Sequence, residues 1–92
     1  MAQISVESAP TQSGWECDVE IDPGEAHGSR HRVRVLREDL ARWGAGADNP
    51  EDLVRRAFVF LLQREQPAEI LKSFELSDIQ RYFPEFDKAM SS

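Results

Sequence analysis

The chain has 92 residues, 40% of them hydrophobic and 30% charged, with a formal net charge of −6. This length fits a single domain, and the balance of apolar and charged residues is typical of a globular protein and excludes a disordered one. The negative net charge argues against a surface that holds nucleic acid by bulk electrostatics.

Cysteine content and hydropathy predict a protein of the cytoplasm. Cys17 is the one cysteine, so no intrachain disulfide can form and a reducing compartment is expected. No run reaches the roughly 18 consecutive apolar residues of a membrane-spanning helix. The N-terminus lacks a basic region followed by an apolar one, so no secretory signal is predicted.

An alternating charge pattern marks two strands, Trp15–Ile21 and Arg30–Val35. Every even residue is acidic in the first strand and arginine in the second. Because side chains alternate between faces along a strand, each strand has one charged face and one apolar face. A turn-forming Asp-Pro-Gly run at residues 22–24 follows the first strand. The two strands are therefore expected to form an antiparallel hairpin.

Two registers bring the opposite charges of this hairpin together. The favoured register uses all six charges, leaves the shorter loop and places Cys17 opposite Val33. Its pairs are Glu20 with Arg30, Asp18 with Arg32, and Glu16 with Arg34. A register shifted by two residues pairs only Glu20 with Arg32 and Asp18 with Arg34. Each exposed pair contributes only about 0.2–1 kcal/mol, so the charges select the register more than they stabilise the fold.

The predicted fold class is α+β, with the N-terminal antiparallel hairpin packed against about three or four helices. Residues 1–14 are interpreted as a mobile lead-in. The alternation of Ile4 and Val6 can add a short edge strand there, which would extend the hairpin to three strands. Residues 15–92 are interpreted as a single domain.

Two helices are expected directly after the hairpin. Leu36, Leu40 and Trp43 have the spacing of a short amphipathic helix, which Gly44 ends. The main helix covers residues 50–64, with Asn49 as its cap and Pro50 in its first position. Its apolar residues span an arc of about 200°, so more than one flank should be buried, with Phe58 and Leu61 central.

Three shorter elements complete the prediction. A short helix over residues 67–74 is expected to bury Ile70, Leu71 and Phe74. Residues 77–80 have the sequence of a capping box and open another helix, which Pro84 stops. Phe86 and Met90 lie four residues apart and indicate a final helical turn.

Candidate metal ligands and nucleophiles are few. Cys17, His27 and His31 lie in or near the hairpin, and the two histidines are four residues apart, but no CxxC spacing of a zinc site is present. A Cys17–His31 dyad would need an electropositive, exposed thiol, whereas Cys17 lies between two acids in sequence and is expected on the apolar face. No glycine-rich phosphate loop occurs. We therefore expect no metal, no cofactor and no catalytic residue.

Nucleic-acid binding is the main alternative function. Arg30, Arg32, Arg34 and Arg37 are the candidate contacts, because strands of this kind can read nucleic acid. The hairpin, however, pairs the first three with carboxylates. A nucleic-acid-binding domain also normally has excess positive charge, whereas the pI of this chain is about 4.8.

Aromatic residues cluster between Phe74 and Phe86, which indicates either core or a peptide groove. One small core is not expected to bury all of this surface together with the wide apolar arc of the main helix. Surplus apolar surface marks a partner, and a symmetric homodimer is the commonest arrangement. No membrane and no small molecule is implied as a partner.

Two segments, PEDLVRRAFVFLLQRE at residues 50–65 and ILKSFELSDIQRYFPEF at residues 70–86, carry a resemblance to a family. Together with the Trp15-x-Cys17 strand, the His31-x-Val33-x-Val35 strand and Asp39-Leu40, they resemble a group of small bacterial proteins of unknown function. The resemblance covers about residues 15–86. It implies no activity, and no site residue is transferred from it.

The expected role is therefore that of a non-catalytic interaction or regulatory protein of the cytoplasm, acting as a homodimer. The alternatives are a nucleic-acid-binding regulator that uses the arginine strand and an accessory subunit of an enzyme.

Overall fold

The computed structural model describes residues 3–22, 24 and 28–91. Within these residues the chain forms four strands and four helices, together with one 3-10 turn at Pro67–Glu69. The strands are β1 (Gln3–Pro10), β2 (Gly14–Asp22), β3 (Ser29–Leu36) and β4 (Ser73–Glu75). The helices are α1 (Arg37–Trp43), α2 (Glu51–Leu62), α3 (Asp78–Tyr82) and α4 (Phe86–Ser91).

The strands form one sheet in the order β1-β2-β3-β4. β1, β2 and β3 are an antiparallel meander, and β4 joins the free edge of β3 in parallel. The β2–β3 register is the favoured one, with Cys17 opposite Val33. The predicted α+β class and the predicted hairpin are confirmed. In the turn between β2 and β3, Asp22 accepts a hydrogen bond from the Gly24 amide (2.9 Å). Residues 23 and 25–27 of this turn lie outside the described residues.

The two faces of the sheet have opposite character, as the alternation predicts. Five apolar side chains of β2 and β3 are almost fully buried, namely Cys17, Val19, Ile21, Val33 and Val35, and Trp15 is partly buried against them. They form one core cluster with the buried residues of α2. The charged side chains on the opposite face remain exposed, so the sheet has helices on one face only.

The edge strand β1 is longer than the alternation of Ile4 and Val6 alone indicates, and helix α2 holds it in place. The Ser8 hydroxyl donates to Glu51 at the start of α2 (3.0 Å), and the Arg55 guanidinium donates to the Ile4 carbonyl (3.4 Å). Pro10 at the end of β1 has no amide to donate. These contacts blunt an edge that would otherwise invite another strand.

Helix α2 is buried on two flanks, as its wide apolar arc predicts. On one flank Phe58 packs against His31 of β3 and Phe74 of β4, with ring centroids 5.4 Å and 6.0 Å away. On another flank Phe60 makes edge-on contacts with Phe83 and Phe86 at 6.0 Å and 5.3 Å. The helix therefore joins the sheet to the C-terminal helices.

The start of α2 differs in detail from the prediction. Pro50 is the residue before the helix rather than its first residue. Asn49 still contributes, because its side-chain oxygen accepts a hydrogen bond from the Glu51 amide (3.1 Å). The end of α1 is as predicted, since Gly44 follows Trp43 and its amide donates to the Leu40 carbonyl (2.7 Å).

The predicted helix over residues 67–74 is wrong. Only Pro67–Glu69 forms a turn of 3-10 helix, and Ile70 is already extended. The following residues pair with β3, since the Arg32 amide donates to the Lys72 carbonyl (2.7 Å) and the Leu76 amide to the Arg34 carbonyl (2.9 Å). The open edge of β3 thus provides the hydrogen bonds that a helix would have made within itself. Phe74 is half-buried, but Leu71 is exposed instead of buried.

Helix α3 begins where predicted, but without the capping box. The Ser77 side chain makes no capping hydrogen bond. Asp78 instead accepts a hydrogen bond from the Glu75 amide (3.1 Å), which ties α3 to the end of β4. The final turn predicted from Phe86 and Met90 is confirmed as α4, and both residues are buried.

One arginine and one tryptophan hold the helices together. The Arg56 guanidinium donates to the carbonyls of Trp43 (3.1 Å) and Met90 (3.4 Å), the last residue of α1 and a residue of α4. The Trp43 indole in turn donates to Asp87 (2.8 Å). These hydrogen bonds connect α2 to α1 and α4, and α1 to α4.

Replacing Phe58 with alanine should destabilise the domain by about 3–5 kcal/mol, because a fully buried ring between β3, β4 and α2 would leave a cavity. That loss approaches the whole stability of a typical small domain, about 5–15 kcal/mol. Chemical denaturation measures it. The neighbouring Val59→Ala is the matched control and should change stability by less than about 0.5 kcal/mol, since Val59 is exposed. Equal midpoints for the two variants would contradict this packing.

Candidate functional site

The arginines of β3 are all paired on the exposed sheet face. Arg30 contacts Glu20 (3.5 Å), and Arg32 contacts both Glu16 (3.3 Å) and Asp18 (3.2 Å). The expected pairing of Arg34 with Glu16 is wrong at the level of side chains. Although the two residues are opposite in the backbone register, Arg34 turns to Glu75 of β4 (3.3 Å). The sequence pattern missed this partner because it does not reveal β4.

The fourth candidate contact, Arg37, donates to the Gln12 carbonyl (2.6 Å). The sheet face holds an open depression of about 600 Å³ near Arg30 and Arg32. Its charged lining is balanced, with three acids and three bases: Glu7, Asp18, Glu20, Arg30, Arg32 and Lys72. The structure therefore brings Arg30, Arg32 and Arg34 together, but among carboxylates rather than as a basic surface, and it places Arg37 apart from them in α1.

The candidate nucleophile Cys17 lies in the core. Burial, reinforced by the nearby carboxylates of Glu51, Asp18 and Glu16, raises the pKa of its thiol to about 12. A thiol with this pKa is a packing group rather than a nucleophile or metal ligand at neutral pH. Of the other candidate ligands, His27 lies outside the described residues. Within residues 3–22, 24 and 28–91, no group of three or more His, Cys, Asp or Glu side chains is arranged to hold a metal ion.

His31 has a structural environment of its own. Its Nδ1 lies 2.7 Å from the Leu71 carbonyl, and its Nε2 lies 2.8 Å from the Ser29 hydroxyl. Because a carbonyl can only accept, Nδ1 carries the proton and donates, which leaves Nε2 to accept from Ser29. Burial lowers the pKa of His31 below its ordinary 6.5, and Lys72 adds to this effect against the opposing hydrogen bond to Leu71. The neutral ring fixes the backbone of the segment that precedes β4.

An apolar groove lies beside that segment, and Leu71 is part of its lining. It has a volume of about 260 Å³ and is bounded by the end of α2, the chain before β4, and α3. Its apolar lining runs from buried to exposed side chains: Leu61, Ile70, Ile79, Phe74, Phe83, Leu71 and Tyr82. Leu71 is 56% exposed and Tyr82 is 70% exposed. We call this surface the Leu71–Tyr82 groove.

All charged residues that line the Leu71–Tyr82 groove are acidic, namely Glu65, Glu69 and Asp78. Glu69 accepts a hydrogen bond from the Gln66 amide (2.7 Å), which holds its carboxylate in place. Asp78 is bonded to the Glu75 amide and lies 3.8 Å from Arg81. The rim therefore carries negative charge next to exposed apolar surface.

No protein-family model, curated protein or solved structure matches this chain. The resemblance of residues 50–65 and 70–86 to small bacterial proteins stays a prediction. No helix in the described part of the chain is long and apolar enough to cross a membrane.

The sequence located the groove only in part. The aromatic cluster between Phe74 and Phe86 indicated a core or a groove, and the structure uses it for both, because Phe86 is buried while Phe74 and Phe83 line the groove. Leu71 was expected in the core. The parallel pairing of β4 with β3 turns it outward, and no local pattern encodes that pairing.

Lowering the pH should destabilise the protein through His31. Its folded pKa is depressed, so its contribution to stability is complete above pH 6.5 and is lost as the pH falls from 6.5 towards the folded pKa. One such group changes stability by at most about 1.4 kcal/mol per pH unit. Urea unfolding from about pH 7.5 to about pH 5.5 should therefore show the stability advantage of wild type over His31→Gln shrinking. Parallel pH profiles for the two proteins would contradict this assignment.

Nucleic acid should bind weakly, because the arginines of β3 face carboxylates and the chain as a whole is acidic. We expect no affinity for random DNA or RNA tighter than about 10⁻⁴ M at physiological salt. Fluorescence anisotropy with labelled oligonucleotides measures this. Micromolar, salt-sensitive binding that is lost in a folded Arg32→Glu variant would reverse the expectation.

Proposed function

We propose that this chain is a non-catalytic interaction or regulatory protein of the cytoplasm, and that the Leu71–Tyr82 groove is its contact surface. The observation that supports the proposal most directly is the exposure of Leu71 and Tyr82 on one groove. Large apolar side chains gathered at one exposed place mark interaction sites more often than scattered ones do.

The exposure of Leu71 is built into the fold. Its carbonyl is held by His31, and the next residue, Lys72, is held by the Arg32 amide. These two hydrogen bonds to backbone carbonyls fix the direction of the segment, so Leu71 cannot turn into the core without breaking them. A preformed apolar contact of this kind costs little conformational entropy on binding.

The size of the groove favours a protein partner over a small molecule. Pockets for small molecules usually have volumes of about 300–1,000 Å³ and bury most of the ligand. The Leu71–Tyr82 groove, with about 260 Å³, is smaller and open. It matches one or two side chains of a partner better than a whole metabolite.

A second copy of the chain is one partner that this proposal includes, as a homodimer was expected from the surplus apolar surface. An accessory subunit would use the same groove on an enzyme. The two cases differ in a simple measurement, because a homodimer sediments as a dimer when pure and an accessory subunit does not.

Removing the apolar groups of the groove should abolish partner binding without unfolding the protein. When Leu71→Ser is combined with Tyr82→Ser, we expect that the partner which co-purifies with the tagged wild type from its own cells no longer does so. If the partner is a second copy of the chain, self-association in sedimentation velocity should be lost instead. The thermal midpoint should change little, because both side chains are exposed and the Leu71 carbonyl is retained.

Val59→Ser is the matched control, since Val59 is also a large exposed apolar residue but does not line the groove. It should keep the partner. The proposal is wrong if the double variant binds as wild type does, or if the wild type is a strict monomer with no specific partner.

A further inference from the structure

We infer that the Leu71–Tyr82 groove binds a short segment of another protein that has an apolar or aromatic anchor residue flanked by lysine or arginine. This inference rests on the proposed function and specifies the chemistry of the partner. It follows from three features of the groove: its apolar floor, its acidic rim and its place beside a sheet edge of only three residues.

The floor of the groove can accept an anchor side chain. Leu61, Ile70 and Ile79 are nearly buried at its base, while Leu71 and Tyr82 stand at its exposed margin. An apolar side chain inserted here would cover surface that water now contacts. The gain in binding free energy rises with the apolar area that is removed from water.

The rim selects a basic segment. Glu65, Glu69 and Asp78 line the groove, and no lysine or arginine does. Asp78 is partly compensated by Arg81 at 3.8 Å, whereas among the described residues no ion pair forms at Glu65 or Glu69. Opposite charge at the rim of an interface favours encounter and suppresses wrong partners.

A second copy of this chain fits the groove poorly. In a two-fold dimer the same surface patch faces itself. The three acidic residues of one rim would then lie near those of the other, and like charges at an interface are unfavourable. The acidic rim thus favours a different protein over a homodimer formed through this groove.

Strand addition is not the binding mode that the structure favours. β4 is the edge strand next to the groove, but it has only three residues. Its Glu75 amide is already bonded to Asp78. Because little free backbone remains, the side chains of the groove rather than main-chain hydrogen bonds must provide the affinity.

The test uses a phage-displayed library of random short peptides, selected on the full wild-type chain and counter-selected on the Leu71→Ser, Tyr82→Ser variant. We expect enriched peptides to share an apolar or aromatic residue with nearby lysine or arginine. A synthetic peptide of that consensus should bind wild type and lose binding when its basic residues are replaced by glutamate.

Neutralising the acidic residues of the rim separates the contribution of charge to peptide affinity from that of the apolar contact. Glu65→Gln combined with Glu69→Gln should weaken binding of the consensus peptide about tenfold, as measured by fluorescence anisotropy. It should also reduce the salt dependence of that binding. Glutamine can still accept the Gln66 hydrogen bond at position 69. The control Glu7→Gln with Glu38→Gln removes the same charge from exposed residues outside the groove and should change affinity by less than about twofold.

The inference is overturned if no peptide is enriched over the counter-selection, if the enriched peptides lack basic residues, or if the rim variant binds as tightly as wild type. It is also overturned if wild type forms a dimer that the Leu71→Ser, Tyr82→Ser variant does not. If the cellular partner is still lost from that variant while basic peptides fail, the proposed function stands and only the partner chemistry is wrong.

Discussion

The contact between α2 and the apolar face of the sheet is the interaction on which the rest of this protein depends. Phe58 lies at its centre, against His31 and Phe74. A sheet of this size cannot remain folded with both faces in water, so one face must be covered. Because α2 is apolar over a wide arc, it covers the sheet and still has Phe60 left to hold the C-terminal helices.

Because helices cover one face of the sheet, the other face is exposed and carries the charged side chains. Carboxylates and guanidiniums interleave there, and each exposed pair contributes little stability. Their effect is on register, since a shift of the hairpin by two residues in either direction would leave Glu16 or Glu20 without an opposite charge across the pair of strands. Arg32 touches two acids and Arg34 reaches β4, so the charges also connect the meander to its fourth strand. A face organised in this way has few cations available for phosphate.

The same core contact explains why the Leu71–Tyr82 groove exists. Phe74 enters the core beside Phe58, which pulls the chain alongside β3, and His31 holds the Leu71 carbonyl. Leu71 is then directed away from the core and towards α3. Stability of the fold and exposure of an apolar contact surface therefore arise from one arrangement. The buried His31 takes part in both, because it packs against Phe58 and holds the Leu71 carbonyl.

Local pattern determined much of this protein. Alternation over Trp15–Ile21 and Arg30–Val35 was sufficient for the hairpin, its faces and its register, because period two and charge pairing act between neighbouring strands. The period of the main helix was sufficient for α2 and its two buried flanks. The position of β4, the partner of Arg34 and the exposure of Leu71 were decided only in the tertiary structure. Leu71 lies 40 positions from His31 of β3 in the chain. The backbone that follows Leu71 makes hydrogen bonds with the open edge of β3, and no local propensity can predict a pairing over this distance.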